Sequence, residues 1–213
     1  MIYTVNDLIK RYPILDKCKE DIISAYNVLE NCYTKKGKLL IAGNGGSCSD
    51  AEHIVGELMK GFKNERHLTA ELTDKLISID LNLGRELSEA LQQALPAIAL
   101  DGHQSLNTAF ANDVENGGMM IYSQQIMGYG YTDDVFLAIS TSGNAKNLIY
   151  AAITAKAKGL KVIALTGKTG GVLKKIADVA IVVPCDETFM IQELHLPIYH
   201  LLCLMLENHF FNN

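Results

Sequence analysis

The sequence predicts an α/β protein: a doubly wound, five-stranded parallel sheet with one helical segment before it and another after it. Three observations carry that expectation. Five short apolar runs, at 39–42, 97–100, 135–140, 162–166 and 180–183, are near-continuous and not alternating, as strands covered on both faces are. Helical periodicity fills the stretches between them, and strand alternating with helix argues a parallel sheet. Three of the runs end in turns rich in glycine and hydroxyls, and in such a sheet the ligand lies beyond the carboxyl ends of the strands.

Taken in order, residues 5–35 place Leu8, Ile9, Tyr12, Leu15, Cys18, Ile22, Tyr26 and Leu29 at helical spacing, with Pro13 set to break or bend the segment. The first strand then runs into Gly43-Asn44-Gly45-Gly46-Ser47 and a helix. Residues 67–93 read as a helical insertion of two short helices broken near Asn82 and Gly84. The third strand ends in Ser140-Thr141-Ser142-Gly143-Asn144, and the fourth in Thr166-Gly167-Lys168-Thr169-Gly170-Gly171. Residues 188–211 form a long helical pattern interrupted only by Pro197.

At 213 residues the chain has room for one domain with a proper core. A net charge of −5 and the absence of any Lys/Arg run exclude a nucleic-acid footprint. The start, Met1-Ile2-Tyr3-Thr4, lacks the layout of a signal peptide, and no uninterrupted apolar stretch has the length of a membrane span. Five cysteines, odd in number and without CxxC, read as free thiols of a cytoplasmic protein.

Small residues after a buried strand let backbone N–H groups approach a ligand, and the helix that follows adds its positive dipole end. The turn at 43–47 is therefore an anion site, or else a glycine-rich turn that binds nothing. It matches neither Walker A nor GxGxxG spacing. With three such turns on one sheet edge, a small polar ligand surrounded by all three is the stronger expectation. His53 and Glu57, four residues apart on the following helix, share a face. They suit a metal half-site, an acid–base pair or a solvated surface pair. Gln192, Glu193, His195 and His200 are unusually polar for an apolar helix, and Asn112-Asp113 form a further polar pair.

Gly43-Asn44-Gly45-Gly46-Ser47 followed by Asp50-Ala51-Glu52-His53 and Glu57 resembles the first motif of sugar isomerase (SIS) domains of the phosphoheptose isomerase type. Ser140-Thr141-Ser142-Gly143-Asn144 and Leu165-Thr166-Gly167-Lys168 are similar to the second and third motifs. Ile191-Gln192-Glu193 with His195 and His200 is similar to the C-terminal signature. The resemblance covers residues 5–211 apart from 67–93. It implies a flavodoxin-like SIS fold, a single domain over 1–213, and interconversion of sedoheptulose 7-phosphate with an aldoheptose 7-phosphate through an enediol. By resemblance, Asn44, Gly45, Gly46, Ser47, Ser140, Thr141 and Ser142 would hold the substrate, chiefly its phosphate, and Asn112, Asp113 and Gln192 would also contact it. His53, Glu57, Gln192 and His200 would be the zinc ligands of members that carry zinc, with Glu57 and His200 the proton-transfer pair. The resemblance also implies a homotetramer with sites at subunit interfaces.

Two departures matter. Ala145 stands where the family commonly has serine, which removes one hydroxyl from the phosphate grip. Gln192 and His200 are eight residues apart, about 12 Å on an ideal helix, so one zinc takes both only if the helix bends or a second subunit contributes. A non-catalytic SIS-domain binding module is the alternative reading; it would keep the turns without needing the acid–base residues.

Overall fold

The computed structural model describes residues 3–211. The chain opens with α1 (Val5–Arg11), a 3-10 turn (Pro13–Cys18) and α2 (Lys19–Thr34). Then come β1 (Leu39–Gly43), α3 (Gly46–Met59), α4 (Ala70–Ile79), α5 (Leu81–Ala90), β2 (Ala97–Ala99), α6 (Gln104–Asp113), a short 3-10 turn and α7 (Ile121–Tyr129). The remainder is β3 (Val135–Ser140), α8 (Lys146–Ala157), β4 (Lys161–Thr166), α9 (Leu173–Ile176), β5 (Val179–Val182) and α10 (Thr188–Phe211). All five expected strands are present, each within one residue of its predicted bounds at either end.

The strands form one parallel sheet in the order β2-β1-β3-β4-β5. From the central pair β1 and β3 the chain winds outward in opposite directions, so the crevice beyond their carboxyl ends is the topological switch point. Register aligns Leu39 with both Ala97 and Val135. Alternation within the strands divides the core in two. Leu39, Ile41, Val135, Leu137 and Ile139 face a layer of α1, α2, α3 and α10. Leu40, Ala42, Phe136 and Ala138 face α7 and α8.

Local chemistry sets the helix boundaries. Thr4 and Asp7 form a capping box at α1, and Pro13 starts the 3-10 turn that separates α1 from α2. The break between α4 and α5 falls at Asp80, two residues before Asn82, and Gly84 takes no part in it. Asp80 ends one helix and caps the next, its Oδ1 accepting from the N–H groups of Asn82 (3.0 Å) and Leu83 (2.8 Å). Gly84 lies inside α5 because the Leu76 carbonyl of α4 passes against its Cα, leaving no room for a Cβ. A glycine that permits close approach has the same sequence appearance as one that breaks a helix.

By length and composition α10 is apolar enough to cross a bilayer, which reading the sequence for uninterrupted apolar runs did not register. In the fold it is a core helix: half of its most apolar window is buried, and Pro197 sits within it without ending it. Its C-terminal half is anchored by a buried ion pair. Arg66 Nε donates to Glu207 Oε1 at 2.9 Å, while its terminal nitrogens donate to the last carbonyls of α3, Leu58 (2.7 Å) and Glu57 (3.1 Å). Glu207 also accepts from the N–H groups of Phe62, Lys63 and Asn64. Burial raises the Glu207 carboxyl, but those N–H groups and Arg66 outweigh it and hold it below the usual carboxylate range.

Candidate functional site

The β1–α3 turn is built to expose backbone. Gly45 adopts φ 57°, and a Cβ on Gly43 would strike Ser47. Tyr122 Oη donates to the Gly43 carbonyl at 2.7 Å, and the amides of Asn44 and Asn147 exchange hydrogen bonds of 3.0 and 2.8 Å. The β1–α3 and β3–α8 turns are thus tied together across the switch point. Between them lies a cavity of about 330 Å³, lined by Asn44, Gly45, Gly46 and Ser47 from the first turn and by Ser140, Thr141, Ser142 and Ala145 from the second. Thr188 and Gln192 of α10 close it. Three helices, α3, α8 and α10, begin at its wall, so their free N–H groups and positive dipole ends converge there.

The third turn does something other than expected. Residues 166–171 do not line the cavity among the described residues; they brace the β3–α8 turn from behind. Gly167 N donates to the Thr141 carbonyl (3.0 Å) and Val172 N to Asn144 Oδ1 (3.1 Å), and the Gly170 carbonyl packs against Gly143. Their glycines serve close packing of loop on loop. Thr188 was missed by sequence reasoning; its only signal was a hydroxyl at the start of the last helical pattern. It brings a hydroxyl into the cavity that Ala145 lines without one.

Down the seam between α3 and α10 stands a second cluster. His53 Nε2 lies 3.2 Å from Glu57 Oε1 and 3.4 Å from His200 Nε2. The other nitrogen, Nδ1, lies 3.0 Å from Tyr199 Oη. Burial, joined by the nearby His53 and Arg11, lowers the His200 imidazole from its ordinary range against the opposing pull of Glu57. Among the described residues no three His, Cys, Asp or Glu side chains form a closed metal-binding group; the contacts run in series, Glu57 to His53 to His200.

Gln192 reaches the cavity as a substrate contact should but not the His53 cluster, and Asn112, Asp113 and His195 lie away from both. Gln192 packs its side chain amide against Gly46 at the cavity, two turns of α10 before His200, so one chain does not bring it to the His53 cluster. Asn112 and Asp113 are exposed at the end of α6, bonded to each other at 3.0 Å and away from the cavity. His195 was read as part of a polar helix face but is fully buried, its Nε2–H donating to the Thr166 carbonyl at 3.2 Å. Cys48, in the first turn of α3, donates to Asp101 Oδ2 at 2.6 Å; burial, with Asp101 beside it, pushes the thiol up to about 12 and removes it as a nucleophile.

The SIS domain family model matches residues 82–167, from within α5 to the end of β4 and its turn. A phosphoheptose isomerase of Helicobacter pylori strain Shi470 is 35% identical over 198 residues, covering 93% of this chain and 88% of the relative. One from Leptospira biflexa is 38% identical over the same shares. The chain belongs to the phosphoheptose isomerase family. Solved phosphoheptose isomerases agree with the fold: that of Neisseria gonorrhoeae superposes with TM-score 0.72 at 30% identity over 95% of this chain and 94% of the other. That of Francisella tularensis also gives 0.72 at 30% identity, over 97% and 100%.

The buried His195 makes stability depend on pH. Burial lowers its pKa from 6.5 to about 4. The unfolded chain therefore takes a proton that the folded chain refuses as pH falls between those values. Stability is full above about 6.5 and falls by on the order of 3 kcal/mol by pH 4 from this group alone. In urea titrations from pH 7.5 to 4.5, wild type should lose stability relative to His195→Leu as pH falls; parallel curves would contradict this assignment.

Proposed function

We propose that the chain is an aldose–ketose isomerase that converts sedoheptulose 7-phosphate to an aldoheptose 7-phosphate by enediol proton transfer. The observation that carries this reading is the placement of two clusters on one helix seam. Gly46 and His53 are seven residues apart on α3, about 10 Å at helical rise. An extended seven-carbon chain with its phosphate reaches about 10 Å, from six C–C bonds of about 1.5 Å foreshortened by their angles plus the ester. A phosphate among the turn N–H groups and hydroxyls thus leaves C1 and C2 near His53, Glu57 and His200. A module that only grips phosphate has no use for the second cluster.

The phosphate is held by Asn44, Gly45, Gly46, Ser47, Ser140, Thr141 and Ser142, with Thr188 and Gln192 above it. Glu57 takes the proton from C1 of the ketose, and His200 serves the second transfer, to C2, as the carbonyl moves to C1. A lowered His200 is largely neutral near pH 7 and so is able to accept and return a proton.

His53, Glu57 and His200 would be the zinc ligands this chain supplies; here they stand in series and not as a closed group, so binding would need their side chains to draw together. The pairs through His53 Nε2, to Glu57 Oε1 and to His200 Nε2, are 3.2 and 3.4 Å apart. Bound there, the ion supplies charge stabilisation to the former carbonyl oxygen. Gln192 is left out of this set and assigned to substrate. The assembly is a homotetramer in the cytoplasm. All five cysteines are free, and the α4–α5 hairpin carries Leu72, Ile79, Leu81, Leu83, Leu87 and Leu91 exposed, Ile79 by 83%. Asn112 and Asp113, on a helix with no buried residue, reach a sugar across a subunit interface.

Glu57→Gln should abolish exchange of the C1 proton with solvent, followed by NMR in deuterium oxide with sedoheptulose 7-phosphate, while phosphate affinity stays within about threefold. Loss of binding with exchange intact would remove Glu57 from the role of base. Dialysis against a chelator should lower turnover and zinc should restore it; full activity in metal-free protein would end the zinc assignment. Leu83→Asp with Leu87→Asp should reduce the particle mass by light scattering from four chains to fewer, and a wild type already monomeric would refute the assembly.

A further inference from the structure

Tyr199 meets His53 at Nδ1, the nitrogen turned away from Glu57 and His200, and neither motif nor spacing singled it out. It is 2% exposed, and its Oη stands between His53 Nδ1 at 3.0 Å and Asp50 Oδ1 at 3.2 Å. The second oxygen of Asp50, Oδ2, is buried with no partner, so Tyr199 is the hydrogen-bond donor on which this carboxylate relies. Burial raises the Asp50 carboxyl, and the Tyr199 hydrogen bond with the nearby His53 pulls it back.

A phenol has one proton to give. A phenol of ordinary acidity keeps that proton at neutral pH. Of its two neighbours the carboxylate is the stronger acceptor. With the proton directed to Asp50, the lone pairs of Oη are left to accept, and the group facing them is His53 Nδ1. A neutral imidazole carries one N–H, so a proton on Nδ1 leaves Nε2 bare. Nε2 is the nitrogen that faces Glu57 Oε1 and His200 Nε2. Glu57 Oε1 competes by favouring the other tautomer, whose Nε2–H would donate to it; the relay opposes that choice from the Nδ1 side, and a proton on His200 Nε2 is placed to fill the bare Nε2 lone pair.

We infer that Tyr199, oriented by Asp50, is a positioning residue that fixes His53 as its Nδ1–H tautomer and presents the Nε2 lone pair to the space shared with Glu57 and His200. The inference rests on the reading of that cluster as the reactive and zinc-holding end of the site. Outer groups of this kind commonly change metal affinity ten- to a hundredfold when removed.

The test is made on the full chain with ¹⁵N-labelled histidine, metal-free, at pH 8, with the His53 resonances assigned by difference against His53→Gln. Wild-type His53 should show the Nδ1–H pattern. Tyr199→Phe should show mixed tautomers, and Asp50→Asn, which frees the phenol proton for Nδ1, should shift His53 toward Nε2–H. Zinc titration should weaken ten- to a hundredfold in both variants. A wild-type His53 protonated on Nε2 would overturn the inference, as would wild-type shifts and wild-type zinc affinity in Tyr199→Phe. If Tyr199→Phe fails to fold, the wild-type spectrum and Asp50→Asn decide. If the wild type binds no zinc, that failure falls on the zinc reading, and the tautomer spectra still settle the role of Tyr199.

Discussion

Everything functional in this fold depends on α3 and α10 lying side by side, parallel and in step. Gly46 meets Gln192 and, two turns on, His53 meets Tyr199, each at a sequence separation of 146, a constant offset that only two helices running the same way sustain. At the start of the seam Gly46 has no side chain, and the Gln192 amide occupies the space a Cβ would need. At the far end Arg66 joins the last carbonyls of α3 to Glu207 of α10. A buried ion pair is seldom a large net stabiliser, but breaking one leaves a buried charge unmatched and is severe. Here that severity holds the register. A slip of one residue between the helices would turn His200 away from His53 by about 100°.

Running parallel has an electrostatic consequence. Both helices present their N-termini to the same end of the seam, where α8 also begins, and the anion cavity lies where the three positive ends meet. Antiparallel helices would have cancelled this field. On the proposed reading the same arrangement puts the proton-transfer groups about two turns from the phosphate grip, on side walls where the helix dipole is weak, so that binding and chemistry would divide along the axis of α3.

Much of this was legible in the sequence because buried parallel strands leave so plain a trace: five apolar runs, each correct within a residue at either end, and glycine turns where the backbone must open. The turns after β1 and β3 do lie together at the carboxyl edge of the sheet and line one cavity, as their glycines and hydroxyls suggested they would. The turn after β4 misled because Gly167 and Gly170 serve packing against Ile191 and Gly143, and composition alone does not separate a glycine that meets a ligand from one that meets a neighbouring loop. Gly84 misled in the same way. His195 looked polar by type, yet its position in α10 points it at the sheet, where Thr166 offers a single carbonyl. Tyr199 and Thr188 were unmarked because their importance comes from a pairing across some 150 residues that no local pattern encodes.

The single chain also shows where its own account of the site stops. The described lining of the anion cavity ends at Gln192, and His200 faces instead a groove between α1 and α10, so one protomer walls the two ends of the proposed substrate path but not its middle. Meanwhile α4, α5 and α6 together bury only Gly84, and leucines stand in water along the hairpin. Isolated exposed leucines need no explanation, but six apolar side chains on one two-helix projection do. Full burial of such a side chain is worth about 1.5–3 kcal/mol, and covering the roughly half that is still exposed about half of that. That is ample to draw copies of the chain together, and the same association is what would carry the exposed Asn112-Asp113 pair of one protomer toward the open stretch of another. On the proposed homotetramer the apolar hairpin and the incomplete cavity become two sides of one requirement, since association would cover the first and could close the second.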